Sequence, residues 1–162
     1  MLDINTSSVE IPTSFDADEK IIRAIYSPVN IHKTKGTLLS NAFRTPSDID
    51  EVSVNRLDYT TPNFCKKMAV ENQNHDRNYF GFAILLKNQI DICSCTIMYS
   101  PILTPKEKAN VFHADIKIGF IPKRGEQLPS EILKKINDLT NLARFYKDPN
   151  PSLTDWQGGV LE

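Results

Sequence analysis

An apolar run, YFGFAILLKNQIDICSCTIMY over residues 79–99, is rich in aromatic and branched side chains and is interrupted by Lys87-Asn88-Gln89. Two β-prone segments flanking a short polar break predict an antiparallel hairpin, Tyr79–Leu86 against Ile90–Tyr99. Ser100-Pro101 closes the second arm, because proline has no N–H to give to a ladder. After an exposed loop carrying Pro101, Pro105 and Lys106-Glu107-Lys108, a further strand is predicted at Val111–Ile121. Its alternation puts Phe112, Ala114, Ile116, Ile118 and Phe120 on one face. His113, Asp115 and Lys117 fall on the other, as in a sheet with one covered side.

Outward from this centre, Lys20–Tyr26 reads as a first strand stopped by Ser27-Pro28, and Val52–Leu57 as a short one. Between them, Val29–Ile49 has little periodicity and reads as connection. Thr61-Pro62 opens a helix, threonine capping and proline filling the first helical position without loss of a bond. Phe64, Cys65, Met68 and Ala69 form its apolar stripe, with Lys66 and Lys67 facing away. A second helix starts at Ser130 as N-cap, with Glu131 complementing the dipole. Its buried face is Ile132, Leu133, Ile136, Leu139, Leu142, Ala143 and Tyr146, and Asp148-Pro149-Asn150-Pro151 stops it. The fold class expected is α+β, a mostly antiparallel sheet of about five strands with two helices packed on it. Residues 1–16 read as a flexible arm, 17–148 as a single domain and 149–162 as a tail with Trp156 as its one anchor.

The chain has 162 residues, enough for one well-filled core, and its 19 basic against 20 acidic residues leave a net charge of -1. That balance does not favour nucleic acid as a partner, which calls for a basic surplus. No leader-like start and no membrane-length apolar run is present, so a cytoplasmic location is expected, with no membrane partner. The three cysteines, Cys65, Cys93 and Cys95, read as reduced and buried. His32, His75 and His113 fall in no metal-ligand spacing, so neither a metal nor a cofactor is implied.

Three polar sets are candidates for function. His113, Asp115 and Lys117 line one strand face, where an imidazole can act as general acid or base with a carboxylate to orient it. Arg23, His32 and Lys35, with Gly36 behind them, can hold a phosphate or an acidic partner. Arg23 interrupts an apolar strand, and a half-buried arginine calls for an acidic or phosphate partner. Ser53 and Arg56 form the third set, Arg56 reading as an ion pair with Asp48, Asp50 or Glu51. G-x-S-x-G, the P-loop and the dinucleotide fingerprint are all missing.

Four blocks in order, Arg23-Ala24-Ile25-Tyr26-Ser27-Pro28, Ser40-Asn41-Ala42-Phe43, Ser53-Val54-Asn55-Arg56 and His113-Ala114-Asp115-Ile116, resemble those of a group of small bacterial proteins without an established activity. The resemblance implies a bacterial origin and a compact domain across residues 20–118. A fainter likeness is to ADP-ribosyltransferase-like domains, in which Arg23, Ser53 and Asp115 would take the parts of the first-strand cation, the mid-sheet serine and the late acidic residue. The chain departs from that pattern in having no S-T-S and no E-x-E. Two functions are therefore expected. The first is a cytosolic binding or accessory module acting through a protein partner. The alternative is an enzyme on a phosphate-bearing nucleotide or RNA, with His113 as general acid or base, Asp115 orienting it, and Arg23, Lys35 and Arg56 on the phosphate.

Overall fold

The computed structural model describes residues 10–162. Six strands, β1 (Lys20–Ser27), β2 (Val52–Arg56), β3 (Asn78–Leu86), β4 (Thr96–Tyr99), β5 (His113–Lys117) and β6 (Arg144–Lys147), form one sheet in the order β4-β5-β2-β1-β3-β6. All its pairings are antiparallel. Helices α1 (Pro62–Glu71), α2 (Lys87–Ile92) and α3 (Ser130–Leu142) complete an α+β fold.

Because side chains alternate along a strand, the sheet buries both faces. Ile21, Ile25, Val52, Val54, Ala83, Leu85, Ala114 and Ile116 pack under Ile132, Ile136 and Leu139 of α3, with Ile90 of α2 and Phe43 filling the margin. Ile22, Tyr26, Phe82 and Ile84 pack on the opposite side against Cys65 and Ala69 of α1. The Thr61 side chain caps α1 by accepting from the Phe64 N–H. Among the described residues no helix is long and apolar enough to cross a membrane.

Ser130 is the first residue of α3 rather than its N-cap, which is Pro129, and three further expectations fail for physical reasons. The hairpin is absent, since Lys87–Ile92 is a helical turn and β4 lies at the far edge of the sheet from β3. Gln89 Oε1 accepts from the Leu86 N–H, and Lys87 pairs with Asp91 one turn on, so the polar break nucleates a helix. Ile90 is buried while Ile92 is 73% exposed, a helical rather than a strand partition. The second helix stops at Leu142, and Arg144–Lys147 is instead the edge strand beside β3, with Phe145 stacked on Phe80. Tyr146 falls in phase with the helical stripe, which hid the change of period. Nor does Lys66 face away: it is fully buried, bonded to Asp148 and to the carbonyls of Asn150 and Asp155.

The β3–β6 pairing depends on Gly81, because a Cβ there would lie 2.2 Å from the Tyr146 carbonyl oxygen. Gly81→Ala is expected to destabilise the protein by about 1–3 kcal/mol through overpacking. Urea denaturation measures this, and an unchanged midpoint would contradict the register.

Residues 1–9 of the expected arm lie outside the described residues, while Pro12 to Phe15 are laid over Arg56. At the other end, the Trp156 ring lies 5.3 Å from that of Phe82, with its main-chain N–H donating to Asn63 and its indole N–H to the Gly159 carbonyl.

Candidate functional site

β1 and β2 pair at only two positions, Ile21 with Arg56 and Ile22 with Asn55. Beyond them the strands part and Arg23 occupies the fork. Its Nε donates to the Ala42 carbonyl at 2.5 Å and its Nη1 to the Ser53 carbonyl at 2.7 Å, so the side chain stands in for the missing ladder. No carboxylate among the described residues lies within ion-pair distance of it. Among the described residues Nη2 takes no hydrogen-bond partner. Burial lowers the pKa of Arg23 to about 10, with the nearby Arg77 adding to the fall and Tyr26 opposing it. The guanidinium therefore bears a desolvation cost that no carboxylate among the described residues offsets.

A cavity of about 420 Å³ opens from this fork under α1, with Ile22, Ala24, Phe82 and Met68 as its apolar lining. Arg77 supplies a second cation on its wall. The guanidinium lies 4.7 Å over the Tyr26 ring and donates from Nε and Nη2 to the Asn72 carbonyl, which fixes its position without neutralising it. Tyr26 is itself tied by its hydroxyl to the Ala69 carbonyl. Asn110 donates to Asn55 Oδ1 at 2.7 Å and accepts from the Phe112 N–H, so the Asn55 amide group is left as a donor on the wall. Ser53 and His113 also line the cavity, and among the described residues the one carboxylate on the lining is Glu51. Burial pushes the Cys65 thiol up to about 12, so this lining cysteine stays un-ionised and is no nucleophile at neutral pH.

His113 sits between the cavity and Asp115. Its Nδ1 lies 2.8 Å from the Ser100 carbonyl oxygen and its Nε2 lies 3.8 Å from Asp115 Oδ1. Ser100 Oγ donates to Asp115 Oδ2 at 2.6 Å, whereas Oδ1 is buried with no partner.

The sequence-derived candidates thus divide. Arg23, Ser53 and His113 converge on one cavity, and Asp115 backs it. Lys117 lies outside the lining and pairs with Glu51 at 3.5 Å. His32 holds a turn, its Nδ1 accepting from the Lys35 N–H, and Lys35 is exposed beside Gly36, so neither reaches the site. Arg56 is fully buried, and its partner is Glu19 rather than Asp48, Asp50 or Glu51. Arg77, Asn55, Asn110 and Tyr26 went unselected in the sequence. Arg77 ends a polar run with no periodic signal, and only the parting of β1 from β2 gives the asparagines an inward role. Among the described residues, no three His, Cys, Asp or Glu side chains are grouped as a metal set would be.

Compared with protein-family models, curated proteins and solved structures, the chain matches none of them.

Proposed function

We propose that the chain is a binding module whose ligand is a small phosphate-bearing molecule held in the cavity at the β1–β2 fork. The observation that carries this reading is Arg23, a guanidinium that lines the cavity and has no carboxylate partner and no Nη2 hydrogen bond among the described residues. Arg77 and the Asn55 amide extend the same donor-rich wall, and a phosphate is the group whose several oxygens suit it. The apolar lining of Ile22, Met68 and Phe82 suits the organic part of such a ligand.

Binding is preferred to catalysis because of how His113 is held. A general acid or base must present a ring nitrogen to the substrate, yet Nδ1 is given to Ser100 and Nε2 has Asp115 Oδ1 as its neighbour.

Calorimetric titration with a nucleoside 5′-monophosphate tests the reading. Arg23→Gln is expected to weaken binding by about tenfold to a hundredfold, the range of one or two charge-assisted bonds. Since Arg23 also bridges Ala42 and Ser53, Arg77→Gln serves as a second variant, expected to lose about threefold to tenfold with folding intact. Affinity unchanged in both variants would contradict the proposal.

A further inference from the structure

We infer that His113 takes up a proton together with the ligand, so that the cavity binds its anion more tightly as pH falls. This rests on the phosphate-binding reading above and adds a regulation to the same site. The argument follows from which atoms can donate. A carbonyl oxygen only accepts, so the 2.8 Å contact with Ser100 requires the proton of His113 to be on Nδ1. Ser100 Oγ gives its own proton to Asp115 Oδ2. In the neutral ring, Nε2 is then an acceptor facing a second acceptor, Asp115 Oδ1, across 3.8 Å. That confrontation accounts for the buried oxygen left without a partner, which is costly in a protein interior. A proton on Nε2 turns the confrontation into a charge-assisted donor–acceptor pair after a small ring movement. Imidazole is the side chain that changes charge between pH 5 and 8.

The surroundings leave His113 as the group that responds. On its own strand it meets Asp115, while Lys117 is engaged by Glu51. From β2 it meets the uncharged Asn55, its register partner, and from the segment after β4 the uncharged Ser100. Across the cavity stand Arg23 and Arg77, which are charged throughout this range, the exposed Glu51, and Tyr26 and Cys65, whose ionisation is pushed upward by burial. Arg56 lies on the opposite sheet face and is paired with Glu19. An anion in the cavity that His113 lines places negative charge near the ring and so favours its protonated form. Proton and anion therefore bind with positive coupling, each strengthening the other.

Sulfate is the probe of choice, because it remains a dianion across the range and any pH dependence then belongs to the protein. Calorimetry at pH 8.0 and pH 5.5 is expected to show sulfate binding at least about fivefold tighter at the lower pH. In His113→Gln the ratio between the two pH values is expected to fall close to one. Asp115→Asn, a near-isosteric second variant, places an amide donor opposite Nε2 and is expected to flatten the ratio in a protein that folds. Equal affinities at both pH values in the wild type, or an undiminished ratio in both variants, would overturn the proton coupling while leaving the phosphate reading standing. No sulfate binding at either pH would overturn the phosphate reading itself and this inference with it.

Discussion

Arg56→Met is expected to destabilise the protein by about 3–5 kcal/mol, the cost of removing one member of a buried ion pair. Arg56 is fully buried, and its Nε and Nη2 make a two-pronged contact with Glu19 at 2.8 Å each. Its remaining donors reach the carbonyls of Pro12 and Ser14, and the guanidinium packs against the rings of Phe15, Tyr59 and Tyr99. One side chain thereby fastens the segment before β1 to the sheet. Methionine keeps most of the apolar stem but leaves the Glu19 carboxylate buried without a counter-charge, and that orphaned charge accounts for most of the loss. Adding Glu19→Met to Arg56→Met is expected to recover part of it, because two apolar groups leave no charge stranded. Urea denaturation followed by circular dichroism measures both variants. A loss below about 1 kcal/mol for the single variant, the size expected of a surface pair, would contradict this description.

Lys66→Met is expected to cost a similar amount, about 3–5 kcal/mol, and to loosen the chain after Asp148. The Lys66 ammonium and the Asp148 carboxylate are both fully buried and lie 2.9 Å apart. Lys66 also donates to the carbonyls of Asn150 and Asp155, while Asp148 accepts from the Tyr79 hydroxyl and the Asn150 N–H. This network clasps the C-terminal segment to α1 and β3. Burial alone would raise the pKa of Asp148, but the bonds from Lys66, Asn150 and Tyr79 outweigh it and hold the carboxyl below its ordinary range. A carboxyl with a depressed folded-state pKa contributes stability at pH values above its unfolded value, about 3.9, and loses it as pH falls through the folded value. The gap between wild type and Lys66→Met is accordingly expected to be wide at pH 7 and to narrow as pH falls below about 4 toward the depressed folded-state value, through which Asp148 becomes protonated. Limited proteolysis gives an independent readout, with new cleavage expected within 149–162. A gap that stays constant from pH 7 to pH 3 would show that Asp148 does not depend on Lys66.

What the sequence conveyed, and what it hid, follows from the range of the interactions concerned. β1, β2, α1 and the alternation of β5 were legible because each rests on signals within a few residues: a proline stop, a Thr-Pro helix start, a period of two. The hairpin was misread because Ile90 and Ile92 suit a strand by composition, while the actual partners of β4 and β3 lie elsewhere in the sheet and are fixed by tertiary pairing. β6 was absorbed into the helix before it because Tyr146 happens to keep the helical phase. Lys66 was assigned to the surface on residue type, and its carboxylate partner stands 82 positions later in the chain, at Asp148.

The candidate site was legible in part for the same reason. Arg23 and His113 stood out as polar groups on apolar strands, and both line the cavity. Arg56 stood out equally, yet it lies outside the cavity lining and serves the fold. Nothing local separates the two arginines. The difference is that Arg56 has Glu19, whereas among the described residues Arg23 has two main-chain carbonyls and no carboxylate.

That difference is also where the account is most exposed to test. A crystal structure of the wild-type protein soaked with a phosphate monoester at saturating concentration measures it directly. The expected result is a phosphate at the β1–β2 fork, with an oxygen within about 3 Å of Arg23 Nη2. An ester that saturates the protein in solution but sits elsewhere, leaving the Arg23 donors unengaged, would contradict it.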